Sequence, residues 1–139
     1  MKKLFLIVAI VLRIDLAAAS TYFWYNRNNS EKNNNLIAKA KENALSTSIQ
    51  TNSVGDVLIT KKPDYQIIYI KKFDQFLISV TKSPFEKSRE RAEKTFLEMA
   101  QTDEDTACQL KVAITTPYYA NPDLVGKSFP LSFCEQTSN

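Results

Sequence analysis

Histidine is absent from this 139-residue chain, and glycine occurs only at Gly55 and Gly126. The first absence removes Ser-His-Asp and Cys-His nucleophile chemistry, imidazole metal sites and the usual switch near neutral pH. The second leaves no glycine-rich loop to cradle a phosphate. Cysteine is scarce as well: Cys108 and Cys134 are the only two, short of a soft zinc site without imidazole. Lysine, carboxylate and tyrosine remain as chemistry-bearing groups, and no motif arranges them. No catalytic residue, metal ligand or cofactor is therefore assigned, and a non-catalytic role is expected.

Nor does one sign of charge dominate. Beyond residue 25, fifteen basic residues face fourteen acidic ones, whereas a nucleic-acid-binding domain is normally clearly basic. No nucleic-acid partner is expected. Lys61-Lys62 and Lys71-Lys72 read as solvated strand ends, where lysine blocks edge-to-edge pairing.

What the chain does have is an apolar N-terminal segment. Lys2 and Lys3 precede Leu4 to Leu12, then come Arg13-Ile14-Asp15-Leu16, Ala17-Ala18-Ala19-Ser20 and the aromatic cluster Tyr22-Phe23-Trp24-Tyr25. Residues 4–25 are long enough to span a hydrocarbon core roughly 30 Å thick, with the aromatics at the far headgroup boundary. Arg13 and Asp15 oppose this. Each costs about 2.5–3.5 kcal/mol near a helix centre, against a return of about 0.3–0.6 kcal/mol from each of roughly ten apolar residues. The sums nearly cancel. Residues two apart also point to nearly opposite sides of a helix, so the two charges do not neutralise each other. In a span they would serve as intramembrane contacts to a partner helix, or simply snorkel with local thinning. The competing reading is a signal peptide cleaved at Ala19/Ser20 after an A-x-A site. Either way the remainder is expected outside the cytoplasm, membrane-anchored in the first case and secreted or periplasmic in the second.

An exported chain with an even pair of cysteines reads as disulfide-bonded. A folded region of about 80 residues sits near the lower end of independent stability, where such a staple matters.

The expected organisation is a signal anchor or signal peptide at 1–25, a polar spacer with a short helix at 26–52, an extracytoplasmic domain at 53–134 and a flexible tail at 135–139. Asn26 to Asn35 holds six asparagines and almost nothing apolar, the composition of a spacer. Leu36 to Asn52 shows weak helical spacing through Ile37, Ala40, Ala44 and Leu45. Within the domain, Val57 to Thr60 and Tyr65 to Lys71 read as strands. Gln75 to Thr81 alternates Phe76, Ile78 and Val80 on one face with Leu77, Ser79 and Thr81 on the other. Lys72-Phe73-Asp74 makes the last two strands a hairpin. Ser83-Pro84-Phe85-Glu86 reads as a capping box that opens a helix to about Gln101. Its apolar stripe is Phe85, Ala92, Phe96, Met99 and Ala100, which leaves Glu86, Lys87, Arg89, Glu90, Arg91, Glu93 and Lys94 as a solvated face. Thr102-Asp103-Glu104-Asp105 caps a short turn near Cys108, without the glycine that a calcium loop needs. Gln109 to Thr115 is a third alternating strand, with Leu110, Val112 and Ile114 inward and Pro117 as its stop. Lys127 to Cys134 closes the chain as an irregular strand. The fold class is therefore α+β: an antiparallel sheet of three to five strands with one amphipathic helix on one face, behind an N-terminal membrane helix.

If Ile68 and Ile70 face the core, Tyr65, Ile67 and Tyr69 turn outward. Tyr65, Tyr69, Tyr118 and Tyr119 are then the candidate binding surface, tyrosine being enriched at interfaces. Coverage of these rings by the linker or the last strand is the alternative.

Three short blocks carry a resemblance. Ala92-Glu93 with Phe96-Leu97, Ala107-Cys108 with Leu110 and Val112, and Leu131-Ser132-Phe133-Cys134 fit the patterns AE..FL, AC.L.V and LSFC. With Tyr65-Gln66-Ile67-Ile68-Tyr69 and Phe76-Leu77-Ile78, this half of the chain resembles a group of uncharacterised small single-span membrane-anchored proteins of reduced-genome uncultivated bacteria. The resemblance implies that the two cysteines recur as a set and that the anchor is retained. It implies no activity and no catalytic residue. Arg13 and Asp15 depart from the group, whose spans are generally uninterrupted. The function expected is a membrane-anchored binding or assembly module with an envelope protein as partner; the alternative is a small enzyme or enzyme inhibitor released by cleavage.

Overall fold

Two alternating strands joined by a short turn set the frame of the domain. Tyr65–Ile70 (β3) and Gln75–Val80 (β4) pair antiparallel from Tyr65↔Val80 to Ile70↔Gln75. Their link tightens into a 3-10 turn, Lys71–Phe73, closed by Asp74 at φ +52°. Because side chains alternate across a strand, this register places Tyr65, Ile67 and Tyr69 with Phe76, Ile78 and Val80. All six are buried. The face of β3 is thus the reverse of the one that would turn Tyr65 and Tyr69 outward. Ile68 and Ile70 are only half-buried and stand in phase with Gln66, whose amide would lose its hydrogen bonds to water in an apolar core.

The computed structural model describes the backbone of residues 2–137 and the side chains of residue 22 and residues 24–134. Val57–Lys61 (β2) joins β3 antiparallel with a bulge between Leu58 and Thr60, and Gln50–Thr51 (β1) completes that edge. Val112–Thr115 (β5) lies on the other side of β4, in the order β1-β2-β3-β4-β5. It runs parallel to β4, so the sheet is mixed and not antiparallel throughout. The connection explains this: a helix carries the chain back along the sheet, and a strand–helix–strand crossover delivers the next strand parallel.

That helix is Phe85–Ala100 (α2). Phe85, Ala92, Phe96 and Ala100 bury as expected, and Phe96 meets Phe76 edge-on at 5.1 Å. Burying each such ring contributes about 1.5–3 kcal/mol. The helix start differs from expectation: Pro84 is the N-cap and no side chain caps it, so Ser83 and Glu86 form no capping box. The C-terminus is closed by Gln101 at φ +50°, its amide donating to the Leu97 carbonyl. Glu104–Ala107 (α3) follows, capped as expected by Asp103, whose carboxylate accepts from the Thr106 amide at 2.8 Å. Cys108 and Cys134 are disulfide-bonded with Cα atoms 5.6 Å apart. The last segment holds one bridge, Ile114↔Phe129, and a 3-10 stretch Ser132–Thr137 that overlaps the tail expected at 135–139.

The chain divides into two compact units, Met1–Asn35 and Leu36–Asn139. The folded domain therefore begins at Leu36, not near residue 53. Helix Lys2–Ser46 (α1) supplies its residues 36–46 to the second unit, where Ala40 and Ala44 are buried. Asn26 to Asn35, expected as a polar spacer, is helical, with Arg27 paired to Glu31 at 3.1 Å. Arg13 and Asp15 also belong to α1 by backbone, and their side chains lie outside the described residues. Among the described residues no helix is long and apolar enough to cross a membrane.

The sheet has two distinct ends. The β1–β2 and β3–β4 turns share one, as Val57↔Tyr69 and the bond from the Lys71 amide to Asp56 Oδ1 at 3.1 Å require. The other collects the β2–β3 turn, the start of α2 and the end of β5, tied by Arg91 Nε donating to Asp64 Oδ2 at 2.7 Å.

Candidate functional site

The loop after β5 leaves the second end and turns back at once. Pro117 accepts hydrogen bonds from the amides of Ala120 and Asn121, and Pro122–Leu124 adds a 3-10 turn. Below it, the Asn121 side-chain amide donates to Thr116 Oγ1 at 2.8 Å, and that hydroxyl donates to the Val80 carbonyl at 2.8 Å. Thr116 and Asn121 are both buried. The return is fixed by the reciprocal bonds between Ile114 and Phe129 at 2.8 and 2.9 Å. On this anchored backbone stand Tyr118 and Tyr119, 72% and 77% exposed. Large, stiff amphipathic side chains on a pre-set loop lose little freedom when they meet a partner.

The other two expected surface tyrosines are elsewhere. Tyr65 is buried, its hydroxyl 2.7 Å from Thr95 Oγ1 on α2. Tyr69 is buried near the opposite end of β3, and its hydroxyl donates to Asp74 Oδ1 at 2.5 Å. The candidate surface of four tyrosines thus reduces to Tyr118 and Tyr119.

Tyr69 belongs to a cluster that sequence reasoning missed. Lys41 of α1 pairs with Asp74 Oδ1, and its Nζ lies 5.1 Å from the Tyr69 ring centre. Hydrogen bonds from Lys41 and then Tyr69 hold the Asp74 carboxyl below its ordinary range. The Asp74 bond and then the Tyr69 bond raise the Lys41 ammonium, while burial and then the Asp74 bond raise the Tyr69 phenol. Each group satisfies the others at the surface, so the trio ties α1 to the β3–β4 turn. No periodicity links residues 33 apart in sequence, and no signal in the chain marks the pair.

A second network lies under the C-terminal segment. Arg89 and Glu93, expected in solvent, are buried. Arg89 Nε donates to Glu93 Oε1 at 3.0 Å and Arg89 Nη2 to the Pro130 carbonyl at 2.7 Å. The Ser132 amide and hydroxyl donate to Glu93 Oε1 and Oε2 at 2.7 and 2.5 Å. The guanidinium also faces the rings of Phe129 and Phe85 at 5.6 and 6.0 Å. A signal for this was available: residues 85, 89, 92, 93, 96 and 100 share one helical face.

A depression of about 560 Å³ lies beside α2 and α3 at Leu97, Thr102 and Asp103. Of its two acidic residues, Glu98 and Asp103, Asp103 is held below the ordinary carboxyl range by the Thr106 amide and then its hydroxyl. Among the described residues no group of three or more His, Cys, Asp or Glu side chains is placed to hold a metal ion. Compared with family models, curated proteins and solved structures, the chain matches none.

Proposed function

We propose that the protein is a non-catalytic, membrane-anchored binding or assembly module that docks another cell-envelope protein outside the cytoplasm. The observation that carries this reading is the Tyr118–Tyr119 loop, where buried hydrogen bonds hold two exposed aromatic rings in place. Two exposed rings on a loop fixed by the buried Thr116 and Asn121 support a contact with an external partner. The Cys108–Cys134 bond fits an oxidising compartment. Residues 4–25, with their apolar run and aromatic end, are read as the retained single-pass anchor, and Arg13 and Asp15 as its intramembrane contacts.

The test places a photo-crosslinking phenylalanine analogue at Tyr119 in native membranes, with Lys87 on the exposed face of α2 as the control position. The reading requires one discrete adduct from Tyr119, absent from Lys87 and abolished by Tyr118→Ser in a chain that keeps its disulfide. The same adducts from both positions, or none, would reject it. Intact mass settles the anchor separately, because loss of the first nineteen residues would favour the released form.

A further inference from the structure

The end of the sheet opposite Tyr118 and Tyr119 has a different surface. In the β1–β2 turn, Asn52 Oδ1 accepts from the amides of Val54 and Asp56 at 3.0 and 2.8 Å, and Asn52 bonds through its own amide to the Asp56 carbonyl at 2.9 Å. Gly55 completes the turn at φ +89°, where a side chain would be strained. This turn, locked by polar groups, holds Val54 76% exposed. In the neighbouring β3–β4 turn, fixed by the αL residue Asp74 and its bonds to Lys41 and Tyr69, Phe73 is 57% exposed. Two adjacent rigid turns each present one large apolar side chain to water. A lone exposed apolar residue needs no explanation, but a pair at the tips of joined turns, set among lysines, forms a pattern.

Lys71 and Lys72 stand exposed on the second turn, and Lys72 Nζ lies 5.5 Å from the Phe73 ring centre. Lys111 is exposed beside them, its carbonyl accepting from the Phe76 amide at 2.8 Å. Of the local acids, Asp74 is paired with the Lys41 cation and Tyr69, while Asp56 accepts from the neutral Asn52 and Lys71 amides and leaves Lys71, Lys72 and Lys111 in excess over it. The acidic residues of α3 lie at the same end beside α2, so the basic side of this end is its sheet side. The chain also enters the domain here, because Leu36 is about 7.5 Å along the helix from Lys41, which grips the turn.

The geometry points to docking of this end on an anionic bilayer surface, with Val54 and Phe73 in the headgroup boundary and Lys71, Lys72 and Lys111 against the lipid charges. Apolar side chains that enter the boundary beside basic ones that meet anionic lipid are the two contributions that hold peripheral proteins. The inference rests on the reading of residues 4–25 as a retained anchor. Only ten residues separate Tyr25 from Leu36, so a retained anchor supplies the surface at high effective concentration. Docking by this end would leave Tyr118 and Tyr119, at the other, facing away from the membrane.

The full chain in lipid nanodiscs tests this. Discs contain a trace of lipid with a gadolinium-chelating headgroup and are made with or without phosphatidylglycerol in phosphatidylcholine. Broadening of the amide signals of Val54, Phe73, Tyr118 and Tyr119 is then measured. Docking predicts broadening concentrated at Val54 and Phe73 in the anionic discs. Lys71→Ser with Lys72→Ser should lower the docked-to-undocked ratio by about 20- to 30-fold, roughly fivefold for each lysine, and Val54→Ser with Phe73→Ser should abolish docking while the disulfide and amide dispersion persist. Equal broadening at both ends in a chain retained by the discs overturns the docking and leaves the anchor standing. A chain that does not stay with the discs overturns the anchor and this inference with it.

Discussion

Asp74 shows how one side chain sets a local arrangement. It sits at φ +52°, a conformation that short polar residues tolerate, and it receives Lys41 and Tyr69. Its carboxyl is held low, so its contribution is complete above the ordinary aspartate range near pH 4 and is lost as pH falls through the lowered folded value. The raised Lys41 behaves in mirror image: its contribution holds below the ordinary lysine value and fades as pH rises through the raised one. Asp74→Asn keeps the backbone tolerance and removes the charge. Urea midpoints measured from pH 2 to 5 should fall less steeply in this variant than in the parent chain, with a difference at pH 7 of under about 1 kcal/mol because the pair is partly solvated. An unchanged acid slope would show that the cluster carries no linkage. Glu93 is the opposite case. Glu93→Ala leaves the buried Arg89 guanidinium without its main counter-charge and frees the Ser132 amide and hydroxyl. A loss of about 3–5 kcal/mol is expected in urea unfolding, and Glu93→Gln should lose less because one oxygen still accepts. Both residues escaped the sequence reading because charge was taken as a sign of exposure, although their helical positions matched Phe85, Ala92 and Phe96.

At the level of elements, β2 to β5, the hairpin and the helices α2 and α3 were legible because alternation and helical spacing are local, whereas β1 was not expected and the strand expected at Lys127 to Cys134 is one bridge and a 3-10 stretch. Which face of β3 points inward was legible only in part. Tyr65, Ile67 and Tyr69 compete with Ile68 and Ile70 on nearly equal apolar terms, and Gln66 alone marks the outer face. Pairing direction was not legible, since β5 reads the same in either orientation and only the intervening helix makes it parallel to β4. Caps divide in the same way. Asp103 lies three residues before Thr106 and bonds to its amide, whereas Ser83 lies one residue outside the observed N-cap of α2. Ser83→Ala should therefore change thermal stability by no more than about 0.5 kcal/mol, while Asp103→Ala should lower the melting temperature measurably and Asp103→Asn should restore most of it at neutral pH. Equal losses for Ser83→Ala and Asp103→Ala would place the start of α2 at Ser83 after all.

Across the whole molecule, β5 and the last segment are held by long-range ties more than by strand length. β5 has four residues and meets the final segment at a single bridge, Ile114↔Phe129. The Cys108–Cys134 bond and the Glu93–Ser132 contacts hold the two sides of that segment to α3 and α2. The disulfide was legible from the even cysteine count read beside an expected export segment, while the polar latch next to it was not, because its partners are 39 residues apart. The Tyr118–Tyr119 loop lies between these anchors and depends on them for its fixed shape. A disulfide closing 26 residues contributes about 3.5 kcal/mol in the chain-entropy model, so Cys108→Ser with Cys134→Ser should lower unfolding free energy by roughly that amount. The loss should not be uniform. Hydrogen exchange should accelerate first at Ile114, Phe129 and Ser132, then at Ala120 and Asn121, while amides of β3 and β4 keep the protection set by the remaining global stability. If all these amides speed up by the same factor, the last segment unfolds only with the whole domain, and the disulfide stabilises the loop no more than any other part.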